Sequence, residues 1–286
     1  MRDGPGPETH AIHDRHQPGR QAGGESSQSM TVRVHFVGAG PGDPELLTVK
    51  AARVISQADL VVYPGSLTPR AVTDLAKPGA TLLDSAPLTL EQTHRAIMEA
   101  WRSGGRVARL QAGDPALYGT VAEQARLLAA ESVDYAVVPG VTAASAASAA
   151  LRLPATAPEI TQTLILTRLA GRTPVPEAEA LRELARHHSA LAVYLSASEP
   201  EAVRGELLAG GYHPDTCVAV AHRVGWPEEE LHLSTVAAFP ELTRERGLTS
   251  QTLFLVLPGY GAATRSRLYD PGFAHGARDG GGTSSE

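Results

Sequence analysis

Thr31-Val32-Arg33-Val34-His35-Phe36-Val37-Gly38-Ala39-Gly40-Pro41-Gly42-Asp43-Pro44 is the stretch on which the reading of the chain turns. Apolar and polar residues alternate as far as Val37 and the pattern breaks at Gly38, so a strand over Thr31–Val37 runs into a glycine loop. Asp43 then supplies a helix N-cap, Pro44 suits the first helical position, and Leu47, Ala51, Val54 and Ile55 recur on one helical face. The glycine spacing departs from a dinucleotide fingerprint. Asp43 stands where the third glycine belongs and would place an acid where a pyrophosphate should meet the helix N-terminus. No Gly-Lys-Ser/Thr follows, which argues equally against a Walker loop.

Working outward, strand-like and helix-like segments keep alternating. Leu60–Tyr63, Thr81–Asp84, Arg106–Gln111 and Asp134–Val138 read as four further strands. Between them fall a helix opened by Thr68 and Pro69, and one carrying Leu90, Ile97 and Trp101 behind a Thr89/Gln92 capping box and ended by Gly104-Gly105. A third helix covers Val121–Ala130. Such alternation implies a mostly parallel sheet with helices on both faces. Pro154 and Pro158 bracket a polar link, beyond which strands at Thr163–Thr167, Leu191–Leu195, Cys217–Ala221, Leu231–Ser234 and Thr252–Leu257 alternate with helices near Glu177–Arg186, Pro200–Ala209 and Val236–Arg246. The expected organisation is an α/β chain of two α/β domains, 30–153 and 154–265, between an unstructured leader, 1–29, and an unstructured tail, 266–286.

Composition narrows the function classes. A net charge of -6 gives no basic excess for a nucleic-acid surface. Apolar runs are strand-length, far short of the ~20 residues that cross a bilayer. Cys217 is the single cysteine, so neither a disulfide framework nor a Cys-based zinc site is expected, and a reducing cytoplasm fits. His10, His13 and His16 lie in the polar leader and His187-His188 end a helix; neither set is read as a metal site.

Two more loops resemble the first in position. Gln111-Ala112-Gly113-Asp114-Pro115-Ala116-Leu117-Tyr118-Gly119 follows the fourth strand, at the sheet edge where open α/β sheets bind ligands. Glycine lets backbone approach a ligand, and an exposed Asp114 carboxylate would accept hydrogen bonds from a hydroxyl or amine. Val138-Pro139-Gly140-Val141-Thr142 then leads into the alanine-rich run 143–150.

In this order the three loops resemble the signature segments of the tetrapyrrole methylase family. The resemblance runs from about Thr31 to Gly259. Thr161–Arg168, Gly171–Glu177, and Trp226-Pro227 after His222-Arg223 resemble the subgroup that methylates carbon 11 of precorrin-4 or cobalt-precorrin-4. The resemblance implies a mixed second sheet, a ligand cleft between the domains, a homodimer, and S-adenosylmethionine bound in a folded form. Carried over by position, Pro41, Gly113, Asp114, Tyr118, Thr142 and Ala143 surround that cofactor, while Leu195 and Val224 close its adenine side. The implied substrate is an anionic tetrapyrrole bearing acetate and propionate groups. Arg168, Arg172 and Arg223 are candidates for its carboxylates, because a guanidinium fork bonds them bidentately, and Tyr63 and Ser66 are candidates for the ring trough. Pro64 follows Tyr63 where related uroporphyrinogen methylases carry an acid, so no general base is assigned. Three alternatives stay open: a methylase of the same family acting at another ring carbon, a nicotinamide-dependent oxidoreductase, and a non-enzymatic ligand-binding protein.

Overall fold

The sheet that follows from the first strand–loop–helix unit is wholly parallel. In the computed structural model, which describes residues 32–270, 272–274 and 276, β1 (Val34–Gly38), β2 (Leu60–Tyr63), β3 (Thr81–Asp84), β4 (Val107–Gln111) and β5 (Tyr135–Val138) lie in the order β3-β2-β4-β1-β5. The leader with its histidines, and most of the C-terminal tail, lie outside the described residues. Because successive side chains of a strand point to opposite faces, both faces of this sheet need cover. Val37, Val61, Ala108 and Leu110 pack against α1 (Val49–Gln57) and α2 (Arg70–Thr73) through Ala51, Ile55 and Val72. Phe36, Val62 and Val107 pack the other way, against Ile97 and Met98 of α3 (Leu90–Arg102) and Leu128 of α4 (Val121–Ala130). Each such fully buried large side chain contributes about 1.5–3 kcal/mol.

The second sheet is mixed. β6 (Leu164–Arg168) pairs parallel with β7 (Ala190–Tyr194), and β10 (Thr252–Leu257), β8 (Cys217–His222) and β9 (Glu230–Thr235) continue it antiparallel in the order β6-β7-β10-β8-β9. One face carries Val193, Val220 and Phe254 against Leu181, Leu207 and Phe239 of α6 (Leu181–Ala185), α7 (Pro200–Ala209) and α8 (Phe239–Glu245). The other face is covered from across the link. Ala144 and Ala147 of α5 (Ala143–Leu151) lie on Ala192, Ala219 and Leu255, the facing alanines letting helix and sheet approach closely. Cys217 is a buried strand residue here, and burial pushes its thiol up. From Arg33 on, the described residues cluster as one unit.

Several sequence boundaries are corrected. Asp43 caps a single 3-10 turn, Pro44–Leu46, through Glu45 N (2.8 Å), and not the α-helix. Leu47 is extended (φ -68°, ψ 142°), and α1 starts at Val49 with Thr48 Oγ1 accepting from Ala51 N at 3.1 Å. The apolar period ran straight through this break because Leu47 still turns its side chain to the core. The helix expected at Glu177–Arg186 is likewise divided, at an extended Ala180, and that expected from Val236 begins at Phe239. Leu195, expected to end a strand, leaves it with φ 53°. A 3-10 turn over Arg267–Tyr269, capped by Ser266, stands inside the stretch expected to be unstructured. The Thr89/Gln92 capping box forms as expected.

If Thr48 starts α1, Thr48→Ala lowers the unfolding free energy by about 1 kcal/mol in urea titrations; an unchanged midpoint would place the helix start elsewhere.

Candidate functional site

Three glycine loops leave the carboxyl ends of β1, β4 and β5 and press on one another. Ala39 N donates to the Gln111 carbonyl (2.8 Å), and Gly40 and Gly113 exchange hydrogen bonds of 3.2 and 2.8 Å in an isolated antiparallel bridge, so the loops after the parallel β1–β4 pair are tied to each other. No side chain fits between them. A Cβ on Gly140 would stand 2.1 Å from the Gly113 carbonyl oxygen, and one on Gly38 would stand 2.5 Å from Gly140 N. Gly40 (φ 68°) and Gly113 (φ 65°) also need left-handed backbone, which glycine adopts freely. The Asp114 carboxylate locks this junction: one oxygen accepts from Gly140 N at 2.9 Å and the other from Ala116 N at 2.7 Å. The carboxylate read from the sequence as an exposed ligand acceptor is therefore engaged in fixing the loops.

The second sheet closes over the junction through three long-range contacts. Tyr194 at the end of β7 hydrogen-bonds Thr142 and accepts from Ala144 N (3.0 Å), fixing the first turn of α5. Trp226 Nε1 donates to the Pro41 carbonyl at 3.0 Å, its ring lying where a Cβ on Gly42 would be 2.3 Å away. Gln251 Nε2 donates to the Ser66 carbonyl at 2.7 Å.

Between these elements lies a cavity of about 540 Å³, within the range of small-ligand sites. Pro41, Gly113, Asp114 and Tyr118 line it from the first sheet; Thr142 and Ala143 line it from the start of α5; Leu195 and Val224 line it from the second. All eight residues carried over as cofactor contacts thus meet in one place. Of the five substrate candidates only Arg223 is on the wall. Its guanidinium lies 5.7 Å from the Trp226 ring, with Nη1 3.6 Å from Glu228. Arg168 donates to the carbonyls of Leu169 (3.2 Å), Thr173 (3.1 Å) and Pro174 (2.7 Å), holding the loop after β6. Arg172 is exposed, Tyr63 packs into the first core, and Ser66 offers its carbonyl to Gln251; none of the three is on the wall.

The cavity wall is also where backbone strain concentrates. Tyr118 (φ 55°), Leu195 (φ 53°), Arg223 (φ 45°) and Gln251 (φ 49°) are all left-handed and all line it. Non-glycine residues pay for that conformation and hold it where surrounding structure imposes it, commonly at ligand sites. Leu195 is 72% exposed and Tyr118 47%, apolar surface turned into the cavity. The Tyr118 and Tyr194 rings lie 5.6 Å apart, and burial pushes both phenols up, so both are neutral at pH 7.

The residues present suit a polar organic cofactor with a flat ring. Gln111 Nε2, Arg223 Nε and Gln251 Oε1 are buried without a hydrogen-bond partner among the described residues, each about 1–3 kcal/mol unfavourable unless a ligand or water meets it. Gly113 brings bare backbone to the wall, and Leu195, Val224 and Leu253 supply its apolar part. Among the described residues no cluster of His, Cys, Asp or Glu is placed to hold a metal ion, and no helix is long and apolar enough to cross a membrane.

Sequence reasoning did not nominate Arg109, Gln111, Tyr194, Trp226 or Gln251 as site residues. Arg109 and Gln111 carried a signal: polar groups inside a strand of a sheet covered on both faces cannot reach open solvent. The other three are defined by partners far away in the chain; of them only Trp226 carried a signal, its place in the Trp226-Pro227 pair that resembles the subgroup. Asp114→Ala should release the Gly140 loop, giving at least tenfold faster amide hydrogen exchange at Gly140 and weaker ligand binding, about 1–3 kcal/mol each way for the lost charge-assisted bond. Unchanged exchange at Gly140 would contradict the lock.

Comparisons with known proteins agree with this geometry. The family model of Tetrapyrrole (Corrin/Porphyrin) Methylases matches residues 33–240. A cobalt-precorrin-4 C(11)-methyltransferase of Priestia megaterium is 41% identical over 256 residues, 87% of this chain and 98% of that protein. A precorrin-4 C(11)-methyltransferase of Pseudomonas aeruginosa is 43% identical over 223 residues, 78% and 88% respectively. Among solved structures, a cobalt-precorrin-4 methyltransferase of cobalamin biosynthesis superposes with a TM-score of 0.76 at 41% identity, covering 78% of this chain and 93% of that one. A uroporphyrin-III C-methyltransferase of Thermus thermophilus, complexed with S-adenosylhomocysteine, gives a TM-score of 0.66 at 30% identity, covering 78% and 96%. With its parallel and mixed sheets, its glycine-loop junction and this similarity along most of its length, the chain belongs to the tetrapyrrole methylase family.

Proposed function

We propose that this chain is an S-adenosylmethionine-dependent C-methyltransferase that methylates carbon 11 of precorrin-4 or cobalt-precorrin-4 in the building of the corrin ring. One observation carries the reading. The glycine loops of the first sheet and Leu195 and Val224 of the second converge on a single cavity, in a chain about 40% identical to enzymes of that activity over most of its length. The nicotinamide reading lacks its third loop glycine, and the identities favour the C11 subgroup over methylases acting at other carbons.

The donor supplies a methyl group already activated on a sulfonium sulfur. The chain's part is therefore to bind, orient and exclude water. Pro41, Gly113, Asp114, Tyr118, Thr142 and Ala143 hold one side of the donor, and Leu195 and Val224 its flat ring. Holding both reactants in line is worth about 7–11 kcal/mol of barrier, and a dry site protects both. Arg223, stacked on Trp226 at the wall, is placed to take a carboxylate of the macrocycle. Arg168 and Arg172 flank the same end of β6 and are proposed as outer carboxylate contacts, with Tyr63 and Ser66 along the trough. The segments 30–153 and 154–265 are read as the two domains that form the cleft. We read the enzyme as a cytoplasmic homodimer.

Incubation with a methyl-labelled donor and metal-free or cobalt-containing precorrin-4 tests the reaction. Label at carbon 11 of the product is the expected result, and label at another carbon, or no transfer to either form, would contradict it. Calorimetry should also register S-adenosylmethionine and no NAD; the reverse preference would overturn the assignment.

A further inference from the structure

Among the described residues, Arg109 is a buried cation with no acid bonded to it. It projects from β4 toward α3 and α4, 8% exposed, within a strand whose other residues are mostly apolar. Its guanidinium bonds neutral groups: Nε to Gln124 Oε1 (3.1 Å), and Nη1 to Ser85 Oγ (3.0 Å) and the Leu110 carbonyl (3.3 Å). Burial alone pushes its pKa down to about 10, with no carboxylate holding it up, so it stays charged at neutral pH. A buried charge without a counter-ion is strongly unfavourable, and one in the wall of a cleft marks a candidate site for an opposite charge.

The surroundings indicate where that charge would sit. Arg109 and Thr120 are shared by the walls of the main cavity and of a side pocket of about 230 Å³. The side pocket lies at the starts of α3 and α4. The capping box closes the first turn of α3, but α4 has no side-chain cap, and the Thr120 hydroxyl accepts from Gln124 Nε2 at 2.7 Å instead. The first-turn N–H groups of this ten-residue helix are left to meet a negative group. Gln111, two residues along β4 on the same face and also 8% exposed, presents its unpartnered Nε2 in the main-cavity wall. Glu123 is the single acid lining the side pocket; it is exposed and opposes an anion there.

We propose that Arg109, Gln111 and the N-terminus of α4 bind a carboxylate of the reaction's ligands at the boundary between the main cavity and the side pocket. The proposal rests on the methyltransferase reading, under which two carboxylates are available: an acetate or propionate arm of the macrocycle, and the amino-acid end of the donor. The side pocket has room for such an arm.

The test uses the full chain, with S-adenosylhomocysteine followed by calorimetry and uroporphyrin III, an octacarboxylate, followed by fluorescence. Arg109→Gln should weaken one of the two by about tenfold or more, as expected for removing a desolvated charge partner. Loss of uroporphyrin binding assigns the site to the macrocycle arm; loss of S-adenosylhomocysteine binding assigns it to the donor. Arg109→Lys, which keeps the charge and loses the fork, should fall between Arg109→Gln and wild type. A folded Arg109→Gln with both affinities within about twofold of wild type would overturn the proposal. Should Arg109→Gln fail to fold, Glu123→Gln decides: it should tighten the same ligand by about two- to threefold, and an unchanged or weaker affinity is the overturning result. Wild-type protein that binds neither ligand would sink the methyltransferase reading itself, an outcome separate from wild-type binding with an indifferent Arg109.

Discussion

The contact of three glycines at the carboxyl edge of the first sheet is the constraint from which the rest of the site follows. Gly38, Gly113 and Gly140 approach so closely that a methyl group on Gly38 or Gly140 would overlap the backbone of another. Only because they are bare can the loops after β1, β4 and β5 share one floor. The Asp114 carboxylate, bonded to Gly140 N at 2.9 Å, ties the third loop to the second. Parallel order β4-β1-β5 places these three loop starts side by side, so the sheet topology and the glycine positions serve the same end.

What stands on that floor is built largely by the second sheet. Tyr194 fixes the start of α5, Trp226 reaches the carbonyl of Pro41, and Gln251 reaches that of Ser66. Through these contacts the apolar Leu195 and Val224 come to face the glycine loops across one cavity. Left-handed backbone at Tyr118, Leu195, Arg223 and Gln251 is the local cost of aiming those residues inward, and it costs on the order of 1–3 kcal/mol each. The two well-packed cores of the second sheet, one of them sealed by the alanine face of α5, are what hold such backbone in place. α5 therefore both follows the third glycine loop, with Thr142 and Ala143 on the cavity wall, and closes the hydrophobic face of the neighbouring sheet.

Much of this was legible in the sequence. β2, β3, β10 and the helix Val121–Ala130 fall on the residues that turn signals and apolar runs marked, because local punctuation and burial agree there. The cap at Thr48 was not, since Asp43-Pro44 offers an equally good N-terminus and Leu47 keeps the apolar period through an extended residue. The three loops were legible as glycine turns, but their mutual contact was not, because spacing along a chain says nothing of which loops meet. Asp114 illustrates the limit: its loop is marked by Gly113-Asp114-Pro115, but its bond to the Gly140 amide is not, because that amide lies 26 residues away. Arg168 is legible as a candidate for a carboxylate, but its bonds to three backbone carbonyls of the loop after β6 are not, because they depend on how that loop turns.

Arg109 and Arg223 mark two edges of the same cavity, one beneath the sheet edge and one beside Trp226, a distribution suited to a ligand carrying several anionic arms around a flat ring. The central claim is that the glycine junction and the Leu195–Val224 wall together form the donor site. A crystal structure of the chain with S-adenosylhomocysteine tests it most directly. The ligand is expected in the cavity, in contact with the Gly113 loop on one side and Leu195 and Val224 on the other. A ligand seated elsewhere, or loops closed against each other with no room for it, would contradict it.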